Sequence, residues 1–139
     1  MVTVKEGSHV YRLLQLLAIT GEFPASSLHL LGNERVIKAL VHRLESAQDI
    51  RFPPDESVLH TKLFAVSGYR EMRTIRLNKG ALPLLDGIHP GANEYYLRIS
   101  HKHSFSGSID HVGRNHRVGE AIALAMMAGL EFRPYTLPK

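Results

Sequence analysis

Cysteine is absent from the 139 residues. That excludes a disulfide scaffold, cysteine-ligated zinc or iron–sulfur centres, and thiol catalysis. Long apolar runs are missing too. The longest stretch, Ala121 to Leu130, falls far short of the ~20 residues a membrane span needs. Met1 to Gly7 carries Lys5 and Glu6 and lacks the apolar region and cleavage site of a secretory signal. The expected location is the cytoplasm, with no membrane partner. There is no P-loop and no Gly-x-Gly-x-x-Gly fingerprint, so no nucleotide cofactor is expected.

What is present suits one small folded unit. Apolar residues make up 44% and charged residues 22%, a globular rather than disordered balance. A chain of this length buries about two-thirds of its unfolded surface and needs no covalent staple. The net charge is only +4, but its placement is uneven. Between Val58 and Gly80 lie Lys62, Arg70, Arg73, Arg76 and Lys79, opposed only by Glu71. A basic strip gathered on one element is the footprint of a polyanion binder, although a solvated hairpin can also be basic.

Periodicity supplies the elements. Val10, Leu13, Leu14, Leu17 and Ala18 recur at spacings of three and four, predicting a helix over about 8–20, with Ser8 as its N-cap and Gly21 as its left-handed stop. Phe23-Pro24 breaks the chain, and Pro24 opens a short second helix to Leu31, ended by Gly32. Asn33 reads as the N-cap of a third helix, about 34–47, with a stripe of Val36, Ile37, Leu40, Val41 and Leu44. Residues 51–56 read as loop. Thr61–Val66 and Met72–Leu77 read as two strands joined through Ser67-Gly68-Tyr69-Arg70, a hairpin signal. Asn78 then caps a short helix, Lys79–Leu85, in which Pro83 fits only the first turn. Residues 86–91 are loop, and Glu94–Ile99 suits either a helical turn or a strand. A strong helix runs from Asp110 or Arg114 to Ala128, with Gly129 as its cap and Leu130–Tyr135 as a strand.

This order matches a winged helix-turn-helix. The expected class is α+β: a winged helix over 1–88, then a C-terminal extension over 89–139 containing the long apolar helix. The expected partner is double-stranded DNA. The third helix docks in the major groove, with Asn33, Arg35, Lys38, His42 and Arg43 on its outer side, and Arg35 and Lys38 suit guanine O6 and N7. The hairpin supplies Lys62, Arg70, Arg73, Arg76 and Lys79, and Arg70 and Arg73 suit flanking phosphates or the minor groove. Glu34 and Glu45 work against phosphate, and winged helices also serve as protein-binding modules.

Two resemblances carry this further. Arg73-Thr74-Ile75-Arg76-Leu77-Asn78-Lys79-Gly80-Ala81-Leu82-Pro83-Leu84-Leu85 resembles the end of a wing and its following helix in MarR-like bacterial regulators. Over about 8–135, the winged-helix pattern, the helix led by His116-Arg117-Val118-Gly119-Glu120-Ala121 and the strand entering Pro134 are similar to the replication-relaxation proteins of plasmids and integrative conjugative elements. That resemblance implies DNA binding in plasmid replication or mobilisation. Members usually continue beyond the point matching Lys139, which suggests a truncated member or an N-terminal piece. A transcriptional repressor and a protein-interaction module of a replication or conjugation complex are the alternatives.

Other chemistry is thinner. His101-x-His103, His111 and the His116/Glu120 pair lie beside Asp110, but without a His-Glu-x-x-His pattern. Ser104, Ser106 and Ser108 neighbour Asp110 and His111 without a Gly-x-Ser-x-Gly elbow. Asp110, Glu120 and Glu131 could be drawn as nuclease carboxylates, but Arg133 stands where lysine is needed, and a nuclease fragment is the third reading. No catalytic residue, metal or cofactor is expected. The 118–130 helix, with Met126 and Met127, is apolar nearly all round. It suits either the core or a homodimer contact, and a two-fold dimer would read two half-sites about one turn apart.

Overall fold

The computed structural model describes residues 2–53, 56–69, 73–101 and 109–128. The architecture is α+β, with two three-stranded sheets and helices packed around one apolar core. Strand β1 (Val2–Thr3) precedes α1 (His9–Thr20). The Ser8 side chain accepts a hydrogen bond from the Tyr11 N–H at 3.3 Å, which satisfies a first-turn donor. Gly21 ends the helix at φ +81°, a conformation that costs glycine nothing, and its N–H reaches the Leu17 carbonyl. Both caps stand where the sequence placed them. Seven of the twelve α1 residues are buried, among them Leu13, Leu14, Leu16 and Leu17.

Strand β2 (Glu22–Pro24) follows, then a 3₁₀ helix at Ala25–Leu31 and α2 (Glu34–Leu44). The sequence reads Phe23-Pro24 as a break. Instead these residues form a strand paired with β6, in register Glu22↔Arg76 and Pro24↔Thr74. Proline is admissible because β2 lies at a sheet edge. Helix α2 stops at Leu44 rather than near residue 47, because the chain turns there into β3 (Gln48–Phe52).

A second difference lies at 51–56. Arg51 and Phe52 of that expected loop end β3, which forms a hairpin with β4 (Ser57–Thr61), paired from Gln48↔Thr61 to Phe52↔Ser57. Strand β1 runs parallel to β3 on its other side. Only Ile50 and Phe52 of this hairpin are buried, so its outward polar residues hide the strand periodicity. Across it, His60 Nδ1 lies 2.7 Å from Asp49 Oδ1, with both side chains exposed.

The second sheet has the order β2-β6-β5. Strands β5 (Phe64–Ser67) and β6 (Thr74–Leu77) form the expected hairpin, paired from Phe64↔Leu77 to Ser67↔Thr74. Strand β6 is central, and Thr74, Ile75 and Leu77 are all buried, which explains its imperfect polar–apolar alternation. A 3₁₀ turn (Lys79–Ala81) leads into α3 (Leu82–Ile88), where Pro83 occupies the first turn. Then come α4 (Pro90–Tyr95), a π-helical stretch (Tyr96–His101) and α5 (Ile109–Met127).

Residues on both sides of position 88 share one core. Ala92, Tyr96, Ile122 and Ala123 cluster with Leu13, Phe23 and Ile75, and α5 packs on β2, α1 and the first 3₁₀ helix. Gly119 makes that approach possible. A Cβ there would sit 3.2 Å from the Phe23 ring and 3.4 Å from the Glu22 carbonyl. Helix α5 is apolar on two sides but buried on one. His116, Gly119, Ile122 and Ala123 face inward, while Val118, Leu124 and Met127 remain exposed. The expected cap at Gly129 and strand at 130–135 lie outside the described residues.

One polar bond crosses this packing. His116 Nε2 lies 2.9 Å from Thr74 Oγ1, and both residues are buried. Burial pushes the His116 imidazole below its ordinary value. Glu22 and Glu120 oppose that shift, and Arg76 adds to it. A histidine held neutral by folding binds its proton more readily in the unfolded chain. Stability from this group is therefore complete above the ordinary histidine value near 6.5 and is lost as pH falls from there toward the depressed value. We expect part of the fall in melting temperature between pH 7 and pH 5 to vanish in His116→Gln, read as the difference in pH slope from wild type. Equal slopes would show that His116 is not buried neutral. Thr74→Val, which removes the hydroxyl from His116, should cost about 1–3 kcal/mol in urea unfolding.

Candidate nucleic-acid interface

Helix α2 is built to show one charged side. The Asn33 side chain accepts a hydrogen bond from the Val36 N–H at 3.2 Å, starting the helix where the sequence predicts. Ile37, Val41 and Leu44 turn into the core. Arg35, Lys38, Ala39, His42 and Arg43 are all exposed, which leaves a basic outer face with a small residue at its centre. Lys38 Nζ lies 2.8 Å from Glu34 Oε1 one turn earlier. The lysine's hydrogen bond and charge together hold the Glu34 carboxyl below its usual range. Both partners are about half exposed, so the pair contributes little and the lysine can leave it. Among the described residues, Arg35, His42, Arg43 and Arg73 take part in no ion pair.

The hairpin divides its cations. Arg73 is exposed beside the turn, and its carbonyl accepts the Ala25 N–H at 2.9 Å, which anchors it against the first 3₁₀ helix. Lys62 and Lys79 are exposed at the opposite end of the ladder, beyond the Phe64↔Leu77 pair. There the Lys62 carbonyl accepts Asn78 Nδ2 at 3.0 Å. The four residues of β6 separate the two ends by about 13 Å. Arg70 lies outside the described residues.

Arg76, which the sequence assigns to the DNA-facing set, has its guanidinium engaged along the sheet, with 30% of the side chain exposed. It donates to Glu22 Oε2 at 2.6 Å and to Ser67 Oγ at 2.8 Å. Glu22 is fully buried, and a carboxylate there persists only with a partner. Tyr96 is buried nearby, which pushes its hydroxyl above the ordinary value while Arg76 pulls the other way. The partner carboxylate is 54 residues distant, in a segment that reads as a chain break, so no local signal reveals it.

A cleft that the sequence pattern does not mark lies between α2 and the hairpin. It has a volume of about 250 Å³. Lys38, His42 and Glu45 line it from α2, and Arg73 and Val66 line it from the hairpin, over a floor that includes Leu28, Val41 and Ile75. Only the tertiary fold brings Lys38, His42 and Arg73 together. On the other flank of α2, a more apolar groove of about 370 Å³ runs between Val36, Leu40 and Arg43 and the start of α1.

The remaining candidates divide as follows. Among the described residues no group of three or more histidines or carboxylates is placed to hold a metal ion. His116 is occupied by Thr74 in the packed interior, and neither residue lines a described cavity. His103, Ser104, Ser106, Ser108, Glu131 and Arg133 fall outside the described residues. His101, Asp110 and His111 lie in helical segments whose side chains are likewise not described. No described helix is long and apolar enough to cross a membrane.

The two hairpin arginines should separate cleanly in melting experiments. Arg76→Ala removes the guanidinium from a buried carboxylate and should cost about 3 kcal/mol. Arg73→Ala removes an exposed side chain and should stay within about 0.5 kcal/mol of wild type. Equal melting of the two variants would contradict the assignment of Arg76 to the interior.

Comparison with protein families, with curated proteins and with solved structures finds no match to this chain.

Proposed function

We propose that the chain is a winged-helix protein that binds double-stranded DNA, in the replication or transfer of a plasmid or other mobile element. The observation that carries this reading is the wiring of the second sheet. The strand between α1 and the 3₁₀ helix pairs with the second strand of the hairpin, in the order β2-β6-β5. A winged helix needs that connection, because it holds the recognition helix beside the wing. The β3–β4 hairpin is an addition between α2 and β5.

In this reading α2 enters the major groove. Ala39 allows close approach, Arg35 reaches base edges, and Arg43 meets the backbone. Arg73 binds flanking phosphate from the hairpin turn. With Arg76 held inside the fold, about four phosphates are neutralised, and affinity should fall by about two orders of magnitude between 50 and 200 mM salt. Fluorescence anisotropy of a labelled duplex tests this directly, and a flat salt response or no binding at low salt would remove the reading. Once a site has been selected, Arg35→Ala should relax base preference by about 1–3 kcal/mol at one position, whereas Arg73→Ala should weaken all sequences alike. A transcriptional repressor uses the same contacts and differs only in where its site lies.

A second reading rests on α5. Val118 and Leu124 are each at least half exposed and Met127 is about two-fifths exposed, an apolar face that suits a protein partner or a second copy of the chain. As an interaction module, the protein would keep its function when Arg35 and Arg73 are both replaced and lose it with Leu124→Glu.

A further inference from the structure

The cleft between α2 and the β5–β6 hairpin has two walls of positive charge and an apolar floor. Lys38 and His42 stand on the helical wall and Arg73 on the hairpin wall. Leu28, Val41 and Ile75, at 2%, 4% and 0% exposed, close the bottom of the cleft, and the partly exposed side chains of Ala25 and Val66 give its floor accessible apolar surface. Arg73 projects from a fixed point, because its carbonyl is tied to the Ala25 N–H. This inference rests on the DNA-binding reading. A helix in the major groove and a hairpin over the neighbouring minor groove leave one object between them, the sugar–phosphate strand that separates the two grooves.

We propose that this cleft seats that strand, with Arg73 and Lys38 gripping the same phosphate from opposite walls and the apolar floor lying against the deoxyribose. The charge pattern fits a phosphodiester better than a base edge. The cations sit at the rim, where an anionic oxygen stays partly hydrated, and the recessed floor meets only carbon-bound hydrogens. Recessed apolar surface holds water poorly, so covering it with a sugar is favourable. Glu45 also lines the cleft and opposes the phosphate, which sets the grip below its maximum.

The test is a methylphosphonate scan. Each phosphate of a selected duplex is made neutral in turn, and binding is measured for wild type, Arg73→Ala and Lys38→Ala. All three proteins should melt alike, because both side chains are exposed. One phosphate should stand out. Its neutralisation should weaken wild type about tenfold, as loss of a charge-assisted contact does, but change either variant less than about twofold. Glu45→Gln should bind about threefold more tightly, with the effect lost on the duplex neutral at that same phosphate. If Arg73 and Lys38 respond to different phosphates, or to none, the shared seat is wrong while DNA binding stands. If wild type binds no duplex at low salt, the functional reading and the seat fall together.

Discussion

The contact between Glu22 and Arg76 constrains more of this molecule than any other. Removing a carboxylate from water is costly unless charge or hydrogen bonds compensate it, and here a guanidinium on the neighbouring strand does so. Strand β2 has only three residues and ends in proline, so its backbone ladder is too short to specify a register alone. The ion pair supplies that register. A slip by one residue would turn Arg76 to the other face of the sheet and leave Glu22 buried without its charge partner. Because β2 joins α1 to the 3₁₀ helix that precedes α2, fixing it against β6 also fixes α2 against the hairpin.

This gives the basic strip two roles that net charge alone conceals. One of its arginines neutralises the interior. Another points outward from the hairpin turn, and two lysines stand at the far end of the ladder. The electrostatic surface facing α2 is therefore smaller than the sequence count suggests, and it is drawn from two elements. The cleft draws Lys38 and His42 from α2 and Arg73 from the hairpin, and it exists because β2 holds the two at a set spacing. On the opposite side, α5 completes the core through His116, Gly119 and Ile122 and leaves a second, apolar face to solvent.

The sequence made the local features legible and hid the distant ones. Helices α1 and α2 could be read because 3.6-residue periodicity and the cap residues Ser8, Gly21 and Asn33 act within a turn or two. The outward side of α2 followed from the same stripe at Arg35, Lys38, His42 and Arg43, whereas Val36, read as part of the apolar stripe, is half exposed. Strands β2, β3 and β4 could not be read, because each is short and carries polar residues, and β2 gains its stability from a partner far along the chain. The pairing of Arg76 is hidden for the same reason: its environment is decided by Glu22, on a strand that the sequence pattern does not reveal. The grouping of Lys38, His42 and Arg73 was likewise invisible, since it depends on how far α2 stands from the hairpin.

Both sheets join the beginning of the chain to its middle. Strand β1 pairs with β3 some fifty residues later, and β2 waits for β6 at a similar distance. Such pairings carry a large loop-closure cost and form late. During synthesis, then, α1 and α2 emerge before any strand that can hold them together. The first seventy residues leave the ribosome with Leu13, Leu17, Phe23 and Val41 still lacking much of their cover. Only when Thr74–Leu77 has appeared can the second sheet close, so the pairing that sets α2 against the hairpin forms after both helices have emerged.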